Sequence, residues 1–467
     1  MEIRHTEVAA PTKINRANWS SDHVVTDLNL TYANVKDYGA LGDGLTDDTA
    51  AIEAACAAVG YGTLFFPKGD YLIGNLVIPD TSFVGESMKS TYFSTYATSG
   101  IAMAFTEGTS LNMLRRISDF RLVTNGGTES VLTGIEISQT DSTTGYWRVE
   151  GVGVSGLLND DVVGCRILQM NDFVFTQTMF DAKGVGMVIT TDHSDSSSNA
   201  VGMGVFNGCM FRGGTCGLAM TPGYDTHSTI DTLVFNACYI GTALNSNAGA
   251  CERIAQIPDN AGGVQNITHV GCHYEMSGSE DGAAYIEIYG GDPSHPHEIS
   301  WTNCIFAHNP TAGQGWCDAL LRCTDREAGT WRLYNVRFDG VNCSGTAAHT
   351  LSLVEIGDSS LYFSGCSLSH FIGYYTQLCD IEGALWEDGQ GGWELNAVPG
   401  YNYYHDMQGA LKIMGNRHTA AAAAPASGTW AVGDIVFNSV PSTGQPIGWM
   451  CTNATGSGTW KSMGALA

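Results

Sequence analysis

A six-residue pattern returns nine times along the middle of the chain, and no other feature restricts its fold so strongly. It reads ISDFRL from Ile117, VEGVGV from Val149, MNDFVF from Met170, FNGCMF from Phe206 and FNACYI from Phe235. It continues as HVGCHY from His269, WTNCIF from Trp301, LYNVRF from Leu333 and FSGCSL from Phe363. Successive copies start 32, 21, 36, 29, 34, 32, 32 and 30 residues apart. The fourth and sixth positions are mostly apolar, the third is small and the fifth mixed, which is the alternation of a strand with one buried face. A period of about thirty residues with variable connections is that of one coil in a three-sided solenoid.

Coils stacked at the spacing of paired strands, about 4.8 Å, align the fourth positions in one interior column. Those residues are Phe120, Val152, Phe173, Cys209, Cys238, Cys272, Cys304, Val336 and Cys366. Cysteine alternating with Val and Phe behaves as a small hydrophobe. The 14 cysteines include no CxxC string, so core thiols are expected rather than disulfides or a metal centre.

Composition agrees with many short strands joined by turns: 58 Gly and 12 Pro without a collagen period. The 47 acidic and 21 basic residues leave a formal charge of -26, which repels a phosphate backbone and argues against a nucleic-acid partner. No apolar run reaches the roughly 18 residues of a membrane span, so no membrane insertion is expected. The first ten residues hold Glu2, Arg4, His5 and Glu7 and no apolar stretch. They do not read as a secretory signal, and synthesis in a cytoplasm is expected.

From Asn34 the chain runs NVKDYGALGDGLTDDTAAIEAACAAVGYGTLFFPKGDYLIG. Gly42 to Gly44 make a turn, Thr46 or Asp47 can cap a helix, and the Ala-rich run Thr49 to Ala58 favours one. Gly60 and Gly62 stop it, and Thr63 to Phe66 and Tyr71 to Ile73 read as strands. This stretch resembles the N-terminal signature of the pectate-lyase-like superfamily, which includes bacteriophage tailspikes and polysaccharide depolymerases. The resemblance implies an all-β, right-handed parallel β-helix whose first coil is capped by a short helix. It further implies a homotrimer in the virion tail, made in the host cytoplasm, that engages a host surface polysaccharide.

Three segments are expected: an N-terminal linker or attachment segment over residues 1–30, which would meet other phage tail proteins, the β-helix over 31–415, and a small β module over 426–467. The last contains SGTWAVGDIVFNSVPSTGQPIGWMCTNATGSGTWKSMG, with Trp430, Trp449 and Trp460 between glycine turns. It resembles small modules at the C-termini of tailspike and tail-fibre proteins, where trimerisation and sugar binding are both open roles.

Glycoside hydrolysis uses two carboxyl groups, so acids projecting outward from one sheet are sought. If the sixth repeat position points in, the seventh points out, and only Glu275 and Asp339 are acidic there. Two coils apart, their backbones would be about 9.6 Å from each other, near the separation of an inverting hydrolase. They are the expected catalytic pair, with His273, His308, Arg337, Arg212 and Tyr239 as substrate-binding residues. Elimination is the alternative, with His273 and Arg337 as base and carboxylate partner; adhesion without chemistry is another. The string YGGDPSHPHE from Tyr289 resembles a YG-x-DPH motif of mannuronan epimerases, but Ser294 and His295 interrupt it and it reads as a proline turn. No cofactor and no metal are expected.

Overall fold

The computed structural model describes residues 32–107, the strands of the coils between 114 and 381 with some of their connections, and most of 411–465; between 323 and 413 it describes backbone alone. The architecture is the expected right-handed parallel β-helix. Three strands make a coil, as in Ala200–Asn207, Met210–Gly213 and Cys216–Thr221, here termed the long, short and third strands. Long and short strands stack into one 22-stranded sheet, and third strands into an 11-stranded sheet. Each coil hangs on the one before it: Tyr239 N donates to Cys209 O at 2.8 Å, His273 N to Cys238 O at 2.8 Å and Ile305 N to Cys272 O at 2.9 Å.

The corner between long and short strands is made by one residue in the left-handed region. Gln177, Gly208, Ala237, Gly271 and Asn303 occupy it in successive coils, with φ of 51°, 59°, 50°, 61° and 53°. This accounts for the small third position of the repeat, since L-residues with a Cβ pay about 1–2 kcal/mol there. The next residue turns inward. Cys209, Cys238, Cys272 and Cys304 thus form the expected interior column, all buried and all free thiols. The Sγ atoms of Cys238, Cys272 and Cys304 each donate to a main-chain oxygen of the preceding coil, on Phe206, Phe235 and His269, at 3.4, 3.3 and 3.7 Å.

A second interior column carries the first repeat position: Phe175, Phe206, Phe235, His269 and Trp301. From Phe206 on, the rings stack face to face at 4.6, 4.8 and 5.2 Å, with interplanar angles of at most 7°. The coil rise thus doubles as an aromatic stacking distance. His269 is wholly buried in this stack, and its Nε2 lies 3.1 Å from Oε1 of Glu252, also wholly buried. Tyr274 donates its hydroxyl hydrogen to Glu252 Oε2 at 2.7 Å and accepts from Trp301 Nε1 at 3.0 Å.

Three copies of the repeat are five residues out of phase with the expectation. Phe175, not Met170, stands under Val149; Phe338, not Leu333, stands under Trp301; and Leu368, not Phe363, stands under Phe338. Thr178 therefore takes the place in the interior column expected for Phe173, which pairs instead with Trp147 and Gly204. Val336 and Cys366 lie outside the described residues, and Cys343 stands under Phe306. The cause is that the long strand before the corner alternates just as the short strand after it does, so apolar spacing alone fits both.

The helix spans Thr49–Val59 and buries Ile52, Ala55, Cys56 and Val59, a single face at i, i+3, i+4 and i+7. Asp47 Oδ1 accepts from Thr49 N at 3.0 Å, while Asp48, buried at the N-cap, instead accepts from Leu41 N and Gly42 N at 2.6 and 2.9 Å. The separate five-stranded C-terminal sheet contains Ile435–Asn438, Gly448–Asn453 and Thr459–Ser462, and also Asn416–Ala421, which pairs parallel with Ile435–Asn438. Trp430 and Trp460 pack edge to face at 5.0 Å, beside the buried Cys451.

The corner can be tuned from both sides. Ala237→Gly is expected to raise stability by about 0.5–1 kcal/mol, the αL relief less the added entropy of the unfolded chain. Gly271→Ala is expected to lower it by a similar amount through the backbone alone, since a Cβ there meets nothing within 4 Å; urea denaturation checks both.

Burial opposes a charge on His269, but the Glu252 carboxylate outweighs it and holds the imidazole above its ordinary value. Stability from that shift is complete below the unfolded value of about 6.5 and disappears as pH rises through the higher folded value. Urea midpoints across the neutral and alkaline range should fall for the native chain, and His269→Phe should flatten that decline.

Candidate functional site

On the short strands, Phe180, Phe211, Ile240, Tyr274 and Phe306 point into the core, so the residues on either side of them face out. One outward column is Met179, Met210, Tyr239, His273 and Ile305. The other is Asp181, Arg212, Gly241, Glu275 and Ala307. A largely apolar and aromatic strip therefore runs beside a charged one along the solenoid axis. Asp181, Arg212, Tyr239, His273 and Glu275 are all half-buried.

Arg212 is gripped from the coil before it. Its Nε donates to Asp181 Oδ1 at 3.0 Å and its Nη2 to Asp181 Oδ2, a bidentate pair between register neighbours. These bonds keep the guanidinium charged, and Tyr239 and Glu275 add to the same field. Gly241 leaves a gap between Arg212 and Glu275, and Tyr239 fills it: a Cβ on Gly241 would lie 2.8 Å from the Tyr239 hydroxyl.

Burial raises the Tyr239 phenol above its usual range, and the charge of Glu275 and a hydrogen bond to that carboxylate raise it further. Tyr239 is thus a protonated phenol beside the Glu275 carboxylate, not a resting phenolate base. His273 meets the Tyr239 ring edge-on at 5.6 Å. Its Nε2 is buried and has no hydrogen-bond partner among the described residues. Two carboxylates, a guanidinium, a phenol and an imidazole converge here, which equips the face for proton transfer and hydroxyl recognition.

Of the expected site, Glu275, Arg212, Tyr239 and His273 come together. Asp339 does not join them. Its strand, Arg337–Asp339, stacks under the long strand Ile299–Thr302, with Asp339 level with Thr302; Glu275 stacks over Ala307 on the short strand. The two acids are separated by the corner as well as by two coils, so the expected spacing near 9.6 Å does not hold. Arg337, level with Ser300, moves to that neighbouring face too. His308 is level with Met276, off both outward columns. The side chains of Asp339, Arg337 and His308 lie outside the described residues, as do Gly291–His297 of the interrupted motif.

The residue that sequence inspection missed is Asp181. The same five-residue phase error put Thr176 in its place, and a usable signal was present in the string FTQTMFD, where Gln177 precedes an inward Thr178. Among the described residues no cluster of three or more His, Cys, Asp or Glu is arranged to hold a metal ion.

A family model described as rhamnogalacturonase A/epimerase, pectate lyase-like, matches residues 32–265. Among curated proteins, a non-secreted LysM effector of Penicillium expansum is 44% identical over 69 residues, 12% of this chain and 6% of its own length. Mannuronan C5-epimerase AlgE5 of Azotobacter vinelandii is 58% identical over 43 residues, 9% of this chain and 4% of its own. The chain thus spans only a small part of the curated relatives it matches. Among solved structures, the gp42 tailspike of Acinetobacter phage vb_AbaP_AS12 superposes with a TM-score of 0.54 at 10% identity, covering 82% of this chain and 68% of that one. That likeness is one of fold.

Gly241→Ala is expected to push the Tyr239 ring away from Glu275, because the new methyl would lie 2.7 Å from Tyr239 Cε1 while the Glu275 main-chain oxygen, also at 2.7 Å, keeps the methyl from giving way. The two-dimensional NMR signals of Tyr239 and His273 should both shift. In Tyr239→Phe, which keeps the ring and loses the donor, only the Glu275 environment should change.

Proposed function

We infer, since this chain belongs to the rhamnogalacturonase A/epimerase, pectate lyase-like family, that it binds and depolymerises a polysaccharide along the outward face of its short strands. In this proposal it is a phage tailspike, a homotrimer in the virion tail attached through its N-terminal segment, and its substrate is a host capsule, O-antigen or exopolysaccharide. The observation that carries the chemistry is the stacking of Arg212, Tyr239, His273 and Glu275 on one outward face, next to an apolar strip on which sugar rings can lie.

Glu275, a carboxylate beside Tyr239 and Arg212, is the base that activates the attacking water, Tyr239 orients it, and Arg212 and His273 bind sugar hydroxyls. Hydrolysis is favoured over elimination by the state of Arg212. A lyase needs a cation free to neutralise a uronate carboxylate, whereas two donors of Arg212 are committed to Asp181 and Glu275 adds to its field. Hydrolysis also takes a second carboxyl group, and Asp339 does not face Glu275 within one chain. The proposal therefore assigns that group to a neighbouring copy of the trimer, with Asp339, on the adjoining face, the first residue to test.

Incubation with purified capsule or O-antigen should release new reducing ends without an unsaturated product that absorbs in the ultraviolet. Glu275→Gln should slow release by about 10²–10⁴-fold with the melting temperature kept, and Asp339→Asn should do the same if it supplies the second group. Ultraviolet absorbance would replace hydrolysis by elimination, and retained binding with no release would leave an adhesin.

A further inference from the structure

Three consecutive strands, Ala250–Gln256, Gly263–Val270 and His273–Met276, each turn one polar residue into the interior where its column neighbours are apolar. In the third-strand column Glu252 stands between Leu218 and Ile286. In the first-position column His269 stands between Phe235 and Trp301. In the short-strand column Tyr274 stands between Ile240 and Phe306. His269 and Tyr274 come from the long and short strands of one coil and Glu252 from the third strand of the coil before it, and they meet: His269 at 3.1 Å and Tyr274 at 2.7 Å from the two Glu252 oxygens, with Trp301 of the next coil 3.0 Å from the Tyr274 hydroxyl.

Such a cluster is a poor device for stability. Taking a carboxylate and an imidazolium out of water costs several kcal/mol each, and apolar replacements of similar volume often do as well or better. Its use is better sought in what it fixes. Tyr274 lies between His273 and Glu275, whose side chains point the opposite way, and its strand is only the four residues His273–Met276. The strand follows Gly271, a corner residue with open space around it. Tyr274 ties the middle of this short strand across the solenoid interior to the third strand of the preceding coil and to the next coil.

We propose that Glu252 and Tyr274 are positioning residues, which act through the strand His273–Met276 to set the height and tilt of His273 and Glu275 on the outer face. The proposal rests on the site assigned above. Displacements of about 1 Å suffice to slow a positioned reaction by about 10², so the cross-core tie acts on rate more than on binding.

Two variants test it. Tyr274→Phe keeps the ring and removes both hydrogen bonds. The triple variant E252L, H269F and Y274F removes the buried charges and returns all three columns to apolar packing, and its melting temperature should recover relative to Tyr274→Phe alone. In both, kcat on the polysaccharide should fall about tenfold or more with KM unchanged, and amide hydrogen exchange should quicken at His273–Met276 but not at Met210–Gly213. A triple variant with native-like melting temperature, kcat and exchange would overturn the proposal. The exchange measurement decides it even if the native chain cuts no glycan, so failure of the depolymerase assignment and failure of the tie are separately visible.

Discussion

Everything in this molecule follows from backbone hydrogen bonds between coils, because they place residues about thirty positions apart one above another. The bonds from Tyr239, His273 and Ile305 to the coils before them differ by only 0.1 Å. That regularity turns three separate facts into columns: an αL corner, an inward thiol behind it, and alternating outward side chains. A solenoid has unpaired strand edges only at its ends. The helix Thr49–Val59, with its single buried face, lies beside the first coil and shields apolar residues there.

The sequence carried the period of this arrangement openly and its phase poorly. Six copies, those from Ile117, Val149, Phe206, Phe235, His269 and Trp301, fall into register as their apolar spacing suggests, as do the four stacked cysteines. Met170, Leu333 and Phe363 are displaced by five residues because alternation continues on both sides of the corner, and a phase can be fixed only where the corner residue is recognised. Gly208 and Gly271 announce themselves; Gln177 does not, since a glutamine at φ 51° has no compositional mark. Asp181 was hidden by this one residue, and the pairing of Glu275 with Asp339 rested on the same kind of slip further on.

The cluster on the outer face was legible in part for a different reason. Arg212, Tyr239, His273 and Glu275 could be read from copies whose phase was right, but their geometry depends on Gly241, whose missing side chain lets Tyr239 lie over the column and reach Glu275. No local motif encodes that contact, because its participants come from separate coils. The buried network was illegible altogether. Glu252 in CERIAQ and His269 in HVGCHY look like the polar half of an amphipathic strand, and only the stacking shows that both point inward.

Sites built this way are sums over coils, and the two sides of a strand need not be chemically independent. The His273–Met276 strand presents an imidazole and a carboxylate to solvent and, from the residue between them, a phenol to a buried carboxylate. A conventional apolar residue at position 274 would still fill the core, as Phe211 and Phe306 do in neighbouring coils. Polar groups gathered at this one level, at a desolvation cost that packing does not require, are therefore best understood together with what the same strand carries outside. The solenoid supplies rigidity in bulk through its repeated pairing; the buried network adds a local constraint on the four-residue strand that carries two side chains of the proposed site.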